Sequence, residues 1–163
     1  MRYGQIRKYD IANGPGIRTT VFVTGCTLNC FGCFNKKYQS FSAGELWTAK
    51  EEELVLKYLS LPQISGLSVL GGEPLEQGTD LLNFLKRVKE EVAKDIWVWT
   101  GYVYEELNVK QREIIEYVDV LVDGRFILSE RDLRLKFRGS KNQRIIDLNE
   151  TKKFGKLKIK LDI

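Results

Sequence analysis

Residues 18–33 form a continuous stretch that reads Arg18-Thr-Thr-Val-Phe-Val-Thr-Gly-Cys26-Thr-Leu-Asn-Cys30-Phe-Gly-Cys33. Its first part is β-branched and aromatic, which predicts a strand that leads directly into the cysteines. These three cysteines are the only ones in the 163-residue chain, and the chain contains no histidine. The C-x-x-x-C-x-x-C spacing therefore supplies three thiolates to one metal site and leaves a coordination position open, as in catalytic metal sites.

Neither a disulfide framework nor a structural zinc site accounts well for the cysteine cluster. Disulfides are disfavoured because the count is odd and the N-terminal segment does not resemble a secretory signal. A structural zinc site needs four Cys or His ligands, and no second pair follows. Thiolate-rich sites in a reducing compartment favour zinc, copper(I) or iron–sulfur clusters, and we expect an iron–sulfur cluster here.

The composition is that of an ordinary globular protein, with 43% hydrophobic and 29% charged residues. We expect one domain over residues 1–163, a cytoplasmic location, and no membrane span. The net charge is +4, but residues 131–163 contain eleven Lys/Arg and only four acids. Because aromatic residues are sparse there, we expect a solvated or partner-facing surface and no nucleic-acid partner.

Apolar strands alternate with amphipathic helices, which predicts an α/β fold with a parallel sheet covered by helices. The first helix begins with a capping box, in which Thr48 is the N-cap and Glu51 lies three residues on, and it ends before Pro62. Its expected apolar face comprises Leu54, Val55, Tyr58 and Leu59. The other predicted strands cover residues 66–70, 96–99, 118–122, 144–148 and 157–161; the other helices cover about residues 79–92 and the segment after its cap, Asn108.

Polar or glycine residues follow the apolar strands at the point where each strand ends. Chemistry in parallel sheets gathers at the carboxyl ends of the strands, so we expect these groups to meet at one site. They are Gly25-Cys26, Gly71-Gly72-Glu73, Thr100-Gly101 and Asp123-Gly124-Arg125.

The cysteine motif, followed by Gly-Gly-Glu-Pro after the next strand, resembles the radical S-adenosylmethionine enzymes. Asn13-Gly-Pro-Gly-Ile-Arg18 is similar to the glycyl-radical-enzyme activases. Further runs at 32–35, 97–102, 119–126 and 137–147 resemble the activases of anaerobic ribonucleoside-triphosphate reductase. The resemblance extends from about Gly4 to Leu148. It implies a single-domain partial (open) β/α barrel with parallel strands, of the radical S-adenosylmethionine type.

The resemblance also implies a chemistry. Cys26, Cys30 and Cys33 would ligate three irons of a 4Fe–4S cluster, and S-adenosylmethionine would chelate the fourth through its amino and carboxylate groups. Reduction by a flavodoxin- or ferredoxin-type donor would yield a 5′-deoxyadenosyl radical. That radical would take a hydrogen atom from one glycine of the partner, an anaerobic ribonucleoside-triphosphate reductase.

Further residues are implied to bind S-adenosylmethionine. Gly71 and Gly72 would let the backbone approach its methionine end, and Glu73 would accept from the ammonium group or fix the loop by hydrogen bonds. A tight turn that needs glycine would also account for the pair. The segment Gly32-Cys33-Phe34 is expected to lie against the adenine.

Three residues at the later strand ends are also expected near the ligand. Thr100 and Asp123 resemble positions that surround the ligand carboxylate in related activases, in some cases through a monovalent cation. Trp99 replaces an acid of those relatives, which leaves such a cation site in doubt. Arg125 is expected to pair with the carboxylate or to form a surface salt bridge. Residues 137–147 are expected to organise the mouth of the site or to form a plain hairpin connection.

Two other functions remain to be distinguished from the activase. One is a small-molecule radical enzyme that resembles the 7-carboxy-7-deazaguanine synthases, which would share the cysteine motif but not the runs at 14–18 and 140–144. The other is a cysteine-clustered, basic nucleic-acid-binding module, which would contain zinc and no iron.

Overall fold

The computed structural model describes all 163 residues, Met1–Ile163, and is built on one seven-stranded sheet in the order β3-β1-β2-β4-β5-β6-β7. The strands are β1 (Arg2–Asp10), β2 (Arg18–Val23), β3 (Glu45–Leu46), β4 (Gly66–Gly71), β5 (Asp95–Trp99), β6 (Val120–Asp123) and β7 (Arg144–Asp147). The helices are α1 (Ala49–Leu59), α2 (Thr79–Glu91), α3 (Val109–Ile115) and α4 (Leu148–Phe154). No helix combines the length and the apolar character needed to cross a membrane.

The predicted α/β class is confirmed, and the sheet is mixed and open. Strands β2, β4, β5 and β6 are mutually parallel, whereas β1, β3 and β7 pair antiparallel at the two sides. The expectation of parallel strands therefore holds for the centre of the sheet only. For β1 and β2 the physical reason lies in their connection: residues 11–17 are too few for the crossover of a dozen or more residues that a parallel pair needs.

The capping signals correctly predict where two helices begin. Thr48 and Glu51 form the predicted capping box of α1, and Asn108 forms a second one with Gln111 at the start of α3. The predicted apolar face of α1 is partly wrong, because Leu54 is 39% exposed while Val55, Leu56 and Leu59 are buried.

The two ends of the chain differ most from the sequence prediction. Residues 157–161 do not form a strand: they touch β7 through a single bridge, Ile146 to Ile159. The alternation of Lys with apolar residues there is that of an irregular edge segment. Strand β1 and helix α4 have no clear signal in the sequence, because β1 is largely polar and α4 begins within a segment, 144–148, whose pattern predicts a strand.

The two faces of the sheet are covered differently. One face packs against the helices in an apolar core that includes Val21, Val69, Val98 and Leu121. The other face presents a smaller apolar cluster of Trp97, Val120, Val122 and Ile145. Because strand side chains alternate between faces, Arg18, Phe22, Ser68, Leu70 and Trp99 belong to this second face, where no helix covers the sheet.

Arg18 joins three strands on this helix-free face. Its side chain is 1% exposed, and its guanidinium donates to the Ser68 hydroxyl (2.8 Å), the Leu67 carbonyl (2.9 Å) and the Asp95 carboxylate (3.1 Å). The Ser68 hydroxyl in turn donates to the carbonyl of Asn13 (2.6 Å). The fork of Arg18 thus fixes the Asn13–Arg18 segment to the sheet, since only a guanidinium offers donors in so many directions.

We expect Arg18→Lys to lower the free energy of unfolding by about 2–4 kcal/mol, because a lysine leaves some of these buried acceptors unpaired. Urea unfolding of the cluster-free protein measures this. The matched control is Arg134→Lys, at a side chain that is 87% exposed and whose replacement should cost less than about 0.5 kcal/mol. Equal stability of the two variants would contradict the role given to Arg18.

Candidate functional site

A cavity of about 450 Å³ opens on the helix-free face at the carboxyl ends of β2, β4 and β5. This is the volume range of small-molecule and cofactor sites. Cys26, Cys30 and Cys33 all line it, together with Gly71-Gly72-Glu73 and Thr100-Gly101. Three of the four predicted strand ends therefore meet at one cavity. From the fourth, only Gly124 reaches the wall.

The cysteine loop is closed at its base by backbone hydrogen bonds. The N–H of Gly25 donates to the carbonyl of Tyr38 (2.8 Å), and the N–H of Cys26 donates to that of Gln39 (2.9 Å). Within the loop, the N–H of Cys33 donates to the carbonyl of Cys30 (3.2 Å). The three thiols are partly exposed, and none forms a disulfide.

The donor set fits an iron–sulfur cluster better than a single metal ion. No group of three Cys, Asp or Glu side chains is gathered closely enough to hold one ion; a tetrahedral zinc site brings its sulfurs to within about 3.8 Å of each other. A cluster binds each thiolate through a different iron, so its cysteines stand farther apart and need only face the same space. The three cysteines meet that condition, and they are all-sulfur ligands of the kind such clusters use.

The pKa of the Cys26 thiol is raised, first by burial and then by the nearby carboxylates of Glu73 and Glu76. Cysteine must lose its proton to bind a metal. The positive charge of bound iron is what would favour the thiolate at this position.

The Gly71-Gly72-Glu73 turn packs directly on the backbone beside the first cysteine. The N–H of Gly72 donates to the carbonyl of Val23, and the N–H of Glu73 donates to that of Gly25, both at 2.8 Å. A Cβ on Gly72 would lie 2.6 Å from the carbonyl oxygen of Gly25 and 2.8 Å from that of Tyr38. Only glycine fits between these backbone atoms, so the pair of glycines serves the close contact of the two strand ends.

The carboxylate of Glu73 is 1% exposed and holds the ends of β4 and β5 together. It accepts hydrogen bonds from the Gly101 N–H (2.7 Å), the Thr100 hydroxyl (2.8 Å) and the Leu75 N–H (2.9 Å). Burial raises its pKa to about 7, against these three hydrogen bonds, which favour the charged form. Glu73 therefore fixes the loop, as one of its two predicted roles required, and it also lines the cavity.

Thr100 lines the cavity, whereas Asp123 and Arg125 do not. The Asp123 carboxylate is buried and is bound by the Arg144 guanidinium (2.6 and 3.0 Å) and by the Tyr104 N–H (2.8 Å). Arg125 is exposed and reaches only the carbonyl of Leu28, at 3.5 Å. Neither side chain lines the cavity, so contact of Asp123 or Arg125 with a ligand stays a prediction, and the alternative surface salt bridge of Arg125 is not formed.

The residues predicted to lie against adenine are only partly at the cavity. Cys33 and Phe34 line it and Gly32 does not; Phe34 packs against Phe126 with 4.5 Å between ring centroids. Gly32 adopts a φ of +72° beside Leu128, so it shapes the loop. Contact of these residues with adenine stays a prediction.

Several cavity residues are not predicted as individual site residues by the sequence. They are Trp99 on β5, Phe126 after β6, and Phe137, Arg138, Gly139 and Gln143 before β7. All of them lie in the runs 97–102, 119–126 and 137–147. The periodic spacing of apolar residues in strands and helices does not account for the residue types in these runs. The segment 137–147 does reach the cavity wall, as expected for the mouth of the site, and it contains one isolated bridge, Ser140 to Arg131.

A family model described as a 4Fe-4S single cluster domain matches residues 12–146. The anaerobic ribonucleoside-triphosphate reductase-activating protein of Haemophilus influenzae is 47% identical over 148 residues, which cover 88% of this chain and 96% of the relative. The protein of that name from Escherichia coli strain K12 is 41% identical, with the same coverage. The one from Enterobacteria phage T4 is 40% identical over 150 residues, which cover 89% of this chain and 93% of the relative.

The raised pKa of Glu73 predicts a pH-dependent stability. In the folded protein the Glu73 carboxyl group keeps its proton up to about pH 7, whereas an unfolded glutamate loses it near pH 4.5. Binding of this proton stabilises the folded state: the full contribution is present below pH 4.5 and is lost as the pH rises through about 7. We expect the stability of Glu73→Gln relative to the wild type to rise by about 2–3 kcal/mol between pH 5 and pH 8. Urea unfolding of the cluster-free proteins measures this difference, and a constant difference would contradict the burial effect.

Proposed function

This chain belongs to the family of anaerobic ribonucleoside-triphosphate reductase-activating proteins, and we propose that it activates such a reductase by installing a glycyl radical. In this proposal the protein is a radical S-adenosylmethionine enzyme, and its open sheet is the partial β/α barrel of that class. The cofactors are a 4Fe–4S cluster and S-adenosylmethionine. The observation that carries the proposal is that three cysteines and the Gly-Gly-Glu turn line one cavity.

Cys26, Cys30 and Cys33 are the residues that would hold the cluster, and no fourth side-chain ligand is available among them. When bound and reduced, the cluster would supply the electron that cleaves the sulfonium C–S bond of S-adenosylmethionine, with release of methionine, and so the means to remove a hydrogen atom from the Cα of one glycine of the reductase. The protein's own residues bind and orient the reactants and keep water away from them.

Glu73 can orient the methionine end of the ligand without giving up its structural bonds. Its two oxygens have four acceptor sites, and three are used by Gly101, Thr100 and Leu75. The remaining site can accept a hydrogen bond from an ammonium group. Burial disfavours the charged form of the Glu73 carboxylate and raises its pKa. The positive charge of the ammonium group would offset this unfavourable effect.

Apolar side chains form part of the remaining wall of the cavity. Phe22, Leu70, Trp99 and Phe126 surround its polar groups. Such walls limit the access of water, which matters because a reactive radical must meet only its intended hydrogen donor. Trp99 is fixed by a hydrogen bond from its indole N–H to the carbonyl of Phe137 (2.7 Å).

The names of the relatives favour the activase over the small-molecule radical enzyme, since all the relatives quoted above are named for their action on the reductase. We further propose a cytoplasmic location and a flavodoxin- or ferredoxin-type electron donor. The basic segment 131–163 is proposed as a surface toward protein partners.

The test is a radical-transfer assay. The anaerobically reconstituted protein, mixed with reductant, S-adenosylmethionine and the anaerobic ribonucleotide reductase of its own organism, is expected to give a glycyl-radical signal in electron paramagnetic resonance. The control omits S-adenosylmethionine. Cleavage of S-adenosylmethionine without any radical on the reductase would contradict the activase, and a colourless protein with one zinc and no iron would contradict all radical chemistry.

The ligand assignment is tested by Cys30→Ser, which should abolish cluster assembly and leave the fold largely intact, since a serine hydroxyl is a poor replacement for a thiolate at iron–sulfur sites. Iron content and visible absorbance after reconstitution measure assembly, and circular dichroism reports the fold. The matched control is Phe31→Leu, at the neighbouring side chain that is 84% exposed; it should assemble the cluster normally. Normal cleavage of S-adenosylmethionine by C30S would show that Cys30 is not a ligand.

A further inference from the structure

Arg138 contains the only buried side-chain nitrogen or oxygen atom in the protein that has no hydrogen-bond partner, its Nε. Nearly all buried polar groups in proteins are paired, and one left without a partner calls for a physical reason. The side chain lines the same cavity as the three cysteines. The Nε atom itself has almost no accessible surface, so the donor that Arg138 can offer to a ligand in the cavity is a terminal nitrogen, and only one of its two terminal nitrogens forms a hydrogen bond within the protein.

The surrounding residues hold Arg138 firmly at this wall. One of its terminal nitrogens donates to the carbonyl of Gln143 (2.6 Å), and the side chain of Gln143 accepts from the N–H groups of Gly139 (2.8 Å) and Ser140 (3.1 Å). The preceding residue, Phe137, has a φ of +61°, which is strained for an aromatic residue. The hydrogen bond from Trp99 to the Phe137 carbonyl helps to maintain that conformation.

The charges around the cavity leave Arg138 without an acidic partner. The charged residues on its wall are Arg7, Glu73 and Arg138. Arg7 lies 3.8 Å from Asp10 and stacks over the ring of Phe22, whereas no carboxylate forms an ion pair with Arg138. One free cation and one buried acid on the same cavity are complementary to a zwitterion, which has a carboxylate and an ammonium group.

We propose that Arg138 binds the carboxylate of the methionine end of S-adenosylmethionine, while Glu73 accepts from its ammonium group. The inference rests on the proposed function, because it requires that S-adenosylmethionine is the ligand. It assigns to Arg138 the role that the sequence alone suggests for Arg125, whose side chain is exposed and does not line the cavity. The planar guanidinium suits a carboxylate, and the terminal nitrogen of Arg138 that has no partner within the protein can donate a charge-assisted hydrogen bond to it.

The test measures how strongly each protein prefers S-adenosylmethionine over decarboxylated S-adenosylmethionine, by anaerobic isothermal titration calorimetry on the full-length, cluster-loaded protein with its cluster oxidised. Decarboxylated S-adenosylmethionine chelates the cluster less well, but this effect is the same for all variants. A difference in preference between two variants therefore reports the contact between the ligand carboxylate and the substituted side chain. Arg138→Gln should bind S-adenosylmethionine about 10- to 100-fold more weakly and lose most of the preference. Arg138→Lys, which keeps the charge but not the fork, should fall between Arg138→Gln and the wild type.

The matched control is Arg125→Gln, which should keep the wild-type preference. Iron content and thermal unfolding of each variant show that it is loaded and folded, and Arg138→Lys provides the test if the glutamine variant does not fold. An unchanged preference in a folded, loaded Arg138 variant, or a loss of preference in Arg125→Gln instead, would overturn the inference alone. A wild-type protein that does not bind S-adenosylmethionine would overturn the proposed function and the inference with it.

Discussion

The site depends on the buried backbone contact between the end of β2 and the turn after β4. The N–H groups of Gly72 and Glu73 donate to the carbonyls of Val23 and Gly25, and the side chain of Glu73 then binds the end of β5. These bonds place the first cysteine, the glycine turn and Thr100 around one cavity. Because a Cβ on Gly72 would meet backbone atoms that cannot move independently, the geometry of the whole site depends on the absence of a side chain there.

The helix-free face of the sheet provides the second constraint. A sheet covered by helices on one side only must stabilise its other side by different means, and here those means are the Arg18 network, the Trp97 cluster and the segment before β7. What these groups leave uncovered is the cavity. Its wall combines apolar and polar side chains, and the Glu73 and Thr100 side chains lie where parallel strands end.

The residues at the strand ends show which features of the site a sequence pattern predicts and which it does not. Placing Gly71-Gly72-Glu73 and Thr100 beside the cysteines requires only the rule that parallel strands end at one edge, and the structure agrees. The same rule suggests Asp123 and Arg125, but it fixes where the backbone ends and not where a side chain points. Asp123 follows Val122 of the helix-free face, so strand alternation places its side chain on the opposite face. There it pairs with Arg144 of the antiparallel neighbour β7, and this partner cannot be identified before the sheet order is known.

The sequence by itself determined the α/β class, the N-caps of α1 and α3, the central strands and the group of cysteines, because each is encoded in residues close together along the chain. Only the tertiary structure decided the antiparallel sides of the sheet, the burial of Glu73 and the arrival of Arg138 at the cavity. These depend on contacts between residues far apart in sequence, such as Trp99 with Phe137 and Glu73 with Gly101. The sequence shows which side chains can form hydrogen bonds. The folded structure decides which partners they bind and which donor is left without one.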